Sequence, residues 1–158
     1  MNRPVALSDI LGSNAVLADV EANDKKQLLE MLAHHASAAL GIEEHILTDV
    51  LWEREKLGTT GVGHGIAIPH GRIPGLAEVR GFFAKLNTAI GFDAVDNQPV
   101  DLVFLLLAPQ DAGADHLHAL AAVSRALRDE ALCEKLRKTK DASSITKLLE
   151  QVTTSEAA

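Results

Sequence analysis

Seven histidines, at positions 34, 35, 45, 64, 70, 116 and 118, are the side chains most open to chemistry in this 158-residue chain. His70 lies in Gly65-Ile66-Ala67-Ile68-Pro69-His70-Gly71. There a short apolar strand delivers the imidazole to a sheet edge, and the flanking proline and glycine stop the strand and clear the backbone. Strand ends are where α/β sheets form ligand crevices. A neutral imidazole with a pKa of about 6.5 acts as nucleophile, base or metal ligand near neutral pH, and residue type alone does not choose among these roles. His116 and His118 open a helical pattern two residues apart, on nearly opposite faces. His116 shares a side with Leu120, Val123 and Leu127 at the border of the apolar stripe, near the positive end of its helix, which favours an anion. His118 shares a side with Ala122 and Arg125, nearer to solvent. Arg54 falls three residues after Leu51 and seven after Leu47, placing its guanidinium on an apolar helix face, where it needs an anion from elsewhere. His64, six residues before His70 in a glycine-rich segment, is within reach of the same crevice. His34, His35 and His45 read as structural.

Three classes of activity fit these residues: group transfer at His70, a metal-dependent hydrolase with His64, His70, His116 and Asp115 as ligands, and an interaction module whose His70 is never modified. No HExxH, Walker-type GxxxxGK[ST] or GxSxG pattern occurs, so zincin, P-loop and α/β-hydrolase readings have no motif to rest on.

The elements that carry these residues follow from periodicity. Ala15 to Val20 reads as a strand, Asn23 caps a helix containing Leu28, Met31, Leu32, Ala36 and Ala39, and Gly41 closes it. A second helix runs from about Glu43 to Lys56. Strands follow at Ile66 to Ile68, Val79 to Leu86 and Val100 to Ala108, the last continuously apolar like a strand covered on both faces. Asp115 caps the helix of His116, and weaker helical patterns cover Glu130 to Lys138 and Ser143 to Gln151. The order predicts an α/β single domain over 4–152, with a central mixed β-sheet flanked by helices on both faces and a disordered tail at 153–158.

Composition narrows the partners. Fifteen Lys and Arg against 22 Asp and Glu give a net charge of −7 and, with 3% aromatic residues, argue against nucleic acid. The longest apolar run, Leu102 to Ala108, falls far short of the roughly 20 residues of a membrane span, and Met1-Asn2-Arg3-Pro4 opens no signal-type segment, so a cytoplasmic location without membrane insertion is expected. Cys133 is the sole cysteine, which excludes an intrachain disulfide and Cys-rich zinc sites.

The stretch Arg54-Glu55-Lys56-Leu57-Gly58-Thr59-Thr60-Gly61-Val62-Gly63-His64-Gly65-Ile66-Ala67-Ile68-Pro69-His70-Gly71 resembles the phosphorylation-site signature of fructose/mannitol-type enzyme IIA domains of the bacterial phosphotransferase system. Asp93 to Phe104 and His116 to Leu120 are similar to their counterparts there, and the likeness spans about Leu7 to Leu149. Within the family the free-standing chain and Asp96-Asn97-Gln98-Pro99-Val100-Asp101 look most like the nitrogen-related, regulatory enzyme IIA; a sugar-specific enzyme IIA feeding a fructose/mannitol-type enzyme IIB is the alternative. The resemblance implies that His70 accepts a phosphoryl group from a histidine phosphocarrier protein, that Arg54 contacts that group, and that His116 is the second active-site imidazole. Thr60, Gly71, His64 and His118 are candidate supporting residues. No cofactor, ATP or metal is implied. Regulatory targets, such as potassium-transport proteins or sensor kinases, would respond to the phosphorylation state. His64 stands where relatives often carry Asn, and its titration is expected to add pH dependence.

Overall fold

A computed structural model describes residues 5–154. Its elements are β1 (Val5–Ala6), a 3₁₀ turn (Leu7–Asp9), β2 (Leu11–Val20), α1 (Lys25–Leu40), α2 (Glu44–Leu57), β3 (Gly61–Gly63), β4 (Ile66–Ala67), β5 (His70–Ile73), β6 (Arg80–Ile90), β7 (Val100–Pro109), α3 (Ala114–Leu127), α4 (Glu130–Lys138), α5 (Ala142–Glu150) and β8 (Thr153–Thr154). The expected fold is observed: one domain built on a mixed six-stranded sheet in the order β2-β6-β7-β4-β3, with β5 also paired to β7.

Strand β7 is the axis of this sheet. Leu102 through Ala108 are all completely buried, as the unbroken apolar run requires of a strand covered on both faces. Antiparallel pairing to β6 sets Leu105 against Phe82 and Phe104 against Phe83. Directly opposed residues point the same way and alternate residues point oppositely, so Phe82 and Leu105 line one face and Phe83 and Phe104 the other. His35 of α1 meets Phe82 edge-on at 5.8 Å between centroids, which assigns α1 to the first face. Among the described residues no helix is long and apolar enough to cross a membrane.

Pro69 does not stop the chain, contrary to the expectation from Pro69-His70-Gly71. The chain re-enters the sheet as β5, and the register against β7 is the same before and after the proline: Ile66 faces Leu102 and His70 faces Leu106. A proline removes one N–H from a ladder and leaves its carbonyl usable, and here the Leu106 N–H donates to the Pro69 oxygen at 2.9 Å. His70 therefore begins a strand rather than ending one. Two caps differ by a residue or two from expectation: Asp24, not Asn23, accepts from Gln27 to start α1, and Gly113 precedes α3, leaving Asp115 inside its first turn. Beyond Val152, Thr153–Thr154 pairs antiparallel with Val5–Ala6, so those two residues are not a loose tail; 155–158, like Pro4, lie outside the described residues.

Gly71 is required by close packing. A Cβ there would stand 2.5 Å from Val50 Cγ1 and 4.0 Å from Leu51 Cδ2, so α2 rests directly on the backbone of β5. Gly71→Ala is expected to lower stability by about 1–3 kcal/mol, the usual cost of overpacking, read as a shift in a urea melt with the slope unchanged.

Candidate functional site

The contact of Gly71 with α2 fixes where its neighbours point. Alternate residues of a strand face opposite sides, so His70 and Arg72 project to the face away from α2, the side reached by α3. There the rings of His70 and His116 lie 5.7 Å apart between centroids at an interplanar angle of 45°. Forty-six positions separate them in sequence, and the sheet and α3 bring them together.

The His70 Nδ1 lies 2.8 Å from the Ile68 carbonyl oxygen. A carbonyl only accepts, so Nδ1 carries the proton and Nε2 holds the lone pair. Because residue 69 is proline, the Ile68 carbonyl belongs to a peptide with no N–H, and its oxygen is aimed at the ring two residues on. Burial lowers the His70 pKa below its ordinary 6.5, assisted by the positive charge of Arg54 and opposed by the Ile68 hydrogen bond and by Glu55. The ring is therefore neutral at pH 7. His116 is 7% exposed and its Nδ1 has no hydrogen-bond partner. Its pKa is lowered by burial, then by His70 and by Arg72.

Arg54 does not occupy the apolar face that its spacing suggested. The buried column of α2 is Leu47, Leu51 and Glu55, and Arg54 sits half-buried beside it, donating from Nη1 to the Gly58 oxygen at 2.8 Å. A cation bonded to a last-turn carbonyl satisfies an orphan acceptor at the helix C-terminus. Arg54 nevertheless stands close enough to His70 to depress its pKa.

The inward charge on α2 is the carboxylate of Glu55, which sequence reasoning missed. It accepts from the Lys25 Nζ at 2.8 Å, from the Thr60 hydroxyl at 2.6 Å and from the Thr60 N–H at 3.1 Å. Lys25 also covers the Phe92 ring at 4.7 Å. Taking away one member of such a buried pair typically costs about 3–5 kcal/mol. The i, i+4, i+8 spacing of Leu47, Leu51 and Glu55 was the available signal. Thr60, expected as a supporting residue, is buried and turned toward Glu55. Arg72 was missed too: reading the strand as stopped at Gly71 hid that residue 72 shares the face of residue 70.

His64 does not share the crevice. It is exposed, at φ 57°, with its N–H donating to Asp96 Oδ2 at 2.9 Å and its carbonyl accepting from Arg137 at 2.9 Å. The Gly65 oxygen accepts from the Leu102 N–H, whereas His70 sits opposite Leu106, so four residues of strand, roughly 13 Å, separate the two places. His118 is exposed on α3, and Asp115 is exposed as well. Among the described residues no three His, Cys, Asp or Glu side chains converge as a metal-ligand set, so the four proposed hydrolase ligands are not assembled.

What the site does contain is one imidazole whose Nε2 carries the lone pair, a second imidazole beside it and two arginines, on a mixed α/β sheet. Residues 9–152 match the family described as phosphoenolpyruvate-dependent sugar phosphotransferase system, EIIA 2, and the chain belongs to it. Within that family it is most like the nitrogen-related enzyme IIA. It is 50% identical over 143 residues to a nitrogen regulatory protein of Bradyrhizobium diazoefficiens, covering 90% of this chain and 94% of that one. It is 41% identical over 132 residues to a nitrogen regulatory protein of Escherichia coli, covering 83% and 81%. The crystal structure of nitrogen regulatory protein IIA-Ntr from Neisseria meningitidis has a TM-score of 0.85 at 33% identity, covering 90% of this chain and 98% of that chain. IIA mannitol from Escherichia coli, at 21% identity and a TM-score of 0.72, shares the fold.

Two depressed histidine pKa values have a definite thermodynamic sign. The folded state holds fewer protons on His70 and His116 than the unfolded chain does below about pH 6.5, so stability falls as pH drops through that value toward the folded pKa values. Urea unfolding from pH 7.5 to 5.5 should show this loss, and His116→Gln should make it shallower. His64→Asn, a residue type that accepts positive φ readily, should leave the His70 titration followed by NMR unchanged.

Proposed function

We propose that this chain is a phosphohistidine carrier of the nitrogen-related phosphotransferase system: Nε2 of His70 accepts a phosphoryl group from a histidine phosphocarrier protein, and target proteins respond to the state of His70. The observation that carries this reading is the tautomer of His70, whose Nδ1–H is held by the Ile68 carbonyl so that Nε2 presents its lone pair. In the transfer the donor's N–P bond breaks as the Nε2–P bond forms, the donor imidazole leaves neutral, and the Nδ1 proton stays on the ring. Phosphoryl transfer through a loose transition state asks mainly for positioning and charge. Arg54 and Arg72 supply positive potential, and the His116 ring, 5.7 Å from that of His70, lies beside the position a phosphoryl group on His70 would take. Two arginines, each already tied to a backbone carbonyl, Arg54 to that of Gly58 and Arg72 to that of Gln110, hold a dianion moderately, as a carrier that must release it requires. No metal, ATP or other cofactor enters this scheme, and the cytoplasm is where such a carrier meets its donor.

The targets, for which potassium-transport proteins and sensor kinases are the first to examine, would discriminate by charge: about two negative charges added at His70 disfavour an interface that fits the neutral ring. A sugar-specific role draws support from a fructose-specific EIIA component of Haloferax volcanii, 40% identical over 104 residues.

Intact mass after incubation with phosphoenolpyruvate, enzyme I and the phosphocarrier protein should show one acid-labile phosphoryl adduct. The adduct should be absent in His70→Ala and should form at least about tenfold more slowly in His116→Ala and Arg54→Ala, the loss of one good transition-state contact. Absence of an adduct on the parent with an active donor would refute the carrier reading. Passage of the group onward to a fructose-type enzyme IIB would favour the sugar-specific role.

A further inference from the structure

Glu55 is the only buried carboxylate among the described residues, with its side chain 3% exposed, and the ion pair with Lys25 accounts for only part of its hydrogen bonding. Its bonds lead to the active imidazole. The carboxylate grips Thr60 through both hydroxyl and N–H; the Thr60 oxygen accepts from the Ile68 N–H at 3.0 Å; and the Ile68 oxygen accepts from His70 Nδ1. Four hydrogen bonds thus run from α2 through two loop residues to the ring.

We propose that Glu55 is a positioning residue for His70, fixing the segment whose Ile68 carbonyl holds the Nδ1 proton and setting a negative charge against the positive charge that the ring gains as Nε2 bonds phosphorus. The second half rests on the carrier reading; the first does not. An attacking imidazole that keeps its Nδ1 proton becomes imidazolium-like, and a fixed anion nearby stabilises that charge as it develops, as a buried carboxylate does for the histidine of a catalytic triad. The charged and titratable groups around His70 are Arg54 and Glu55 from α2, His116 from α3 and Arg72 on its own strand. Of these only Glu55 is negative, and its effect on His70 opposes that of Arg54. Glu55 itself faces Lys25 of α1, which also approaches the exposed Asp93 at 3.5 Å.

The test uses Glu55→Gln and, because this leaves Lys25 without its partner, the double variant Lys25→Met/Glu55→Gln, which removes both charges and keeps similar shapes. Nitrogen-15 NMR of the imidazoles reads the His70 tautomer and pKa directly, and stopped-time phosphorylation across about pH 5.5 to 8 reads the rate. Both variants should show a lower His70 pKa, some Nε2–H tautomer and a plateau rate reduced about tenfold or more, with the double variant recovering the parent's melting temperature. A parental His70 pKa, tautomer and plateau rate in the folded double variant would overturn the proposal and leave Glu55 as a tether between helices. If the parent takes no phosphoryl group at all, the carrier reading fails, while the pKa and tautomer still decide whether Glu55 governs the ring.

Discussion

Strand β7 holds β4 and β5 on one edge in a single register, and the site exists because that register survives Pro69. Had the proline shifted the pairing by one residue, every side chain of β5 would have changed faces. His70 would then have pointed into α2 and Gly71 toward α3. The clash distance at Gly71 shows how little freedom remains: α2 lies so close to β5 that even a methyl group there would stand 2.5 Å from Val50 Cγ1. Sequence thus enforces orientation twice, by a ladder on one side and by the absence of a Cβ on the other.

Burial and charge act on the two imidazoles in the same direction. Both rings are kept neutral by desolvation first, and Arg54 and Arg72 add to the effect. An environment that discourages protonation while offering positive potential suits a lone pair that attacks an anion. The Glu55 to Lys25 pair tempers it from behind, tying α1, α2 and Thr60 at one point.

Much of this was legible from local pattern. The apolar run of β7 announced a doubly covered strand, and α4 begins and ends where its periodicity says, because Asp129 caps it and basic residues close it. Arg54 and Glu55 were harder, since adjacent helix positions differ by one column and the border of a stripe admits either; the energetics of tertiary partners, Thr60 and Lys25, decided it. Pro69 misled because one lost N–H looks like a strand break when the neighbouring strand is not known. The meeting of His70 and His116 depends on a long-range fold, which no periodicity encodes; likeness to a known signature supplied it.

The ladder on either side of Pro69 leaves the backbone of His70 little freedom to move. A group mounted on lattice-like hydrogen bonds has almost no backbone play with which to transmit its own modification. On the carrier reading, such a protein announces its state as potential rather than as shape, the net charge passing from −7 to roughly −8 as the phosphoryl dianion is added and the ring keeps its Nδ1 proton. Its readers would then be sorted by ionic strength: partners with acidic contact surfaces are turned away more strongly in dilute salt, and the distinction fades within a Debye length of about 8 Å at physiological salt.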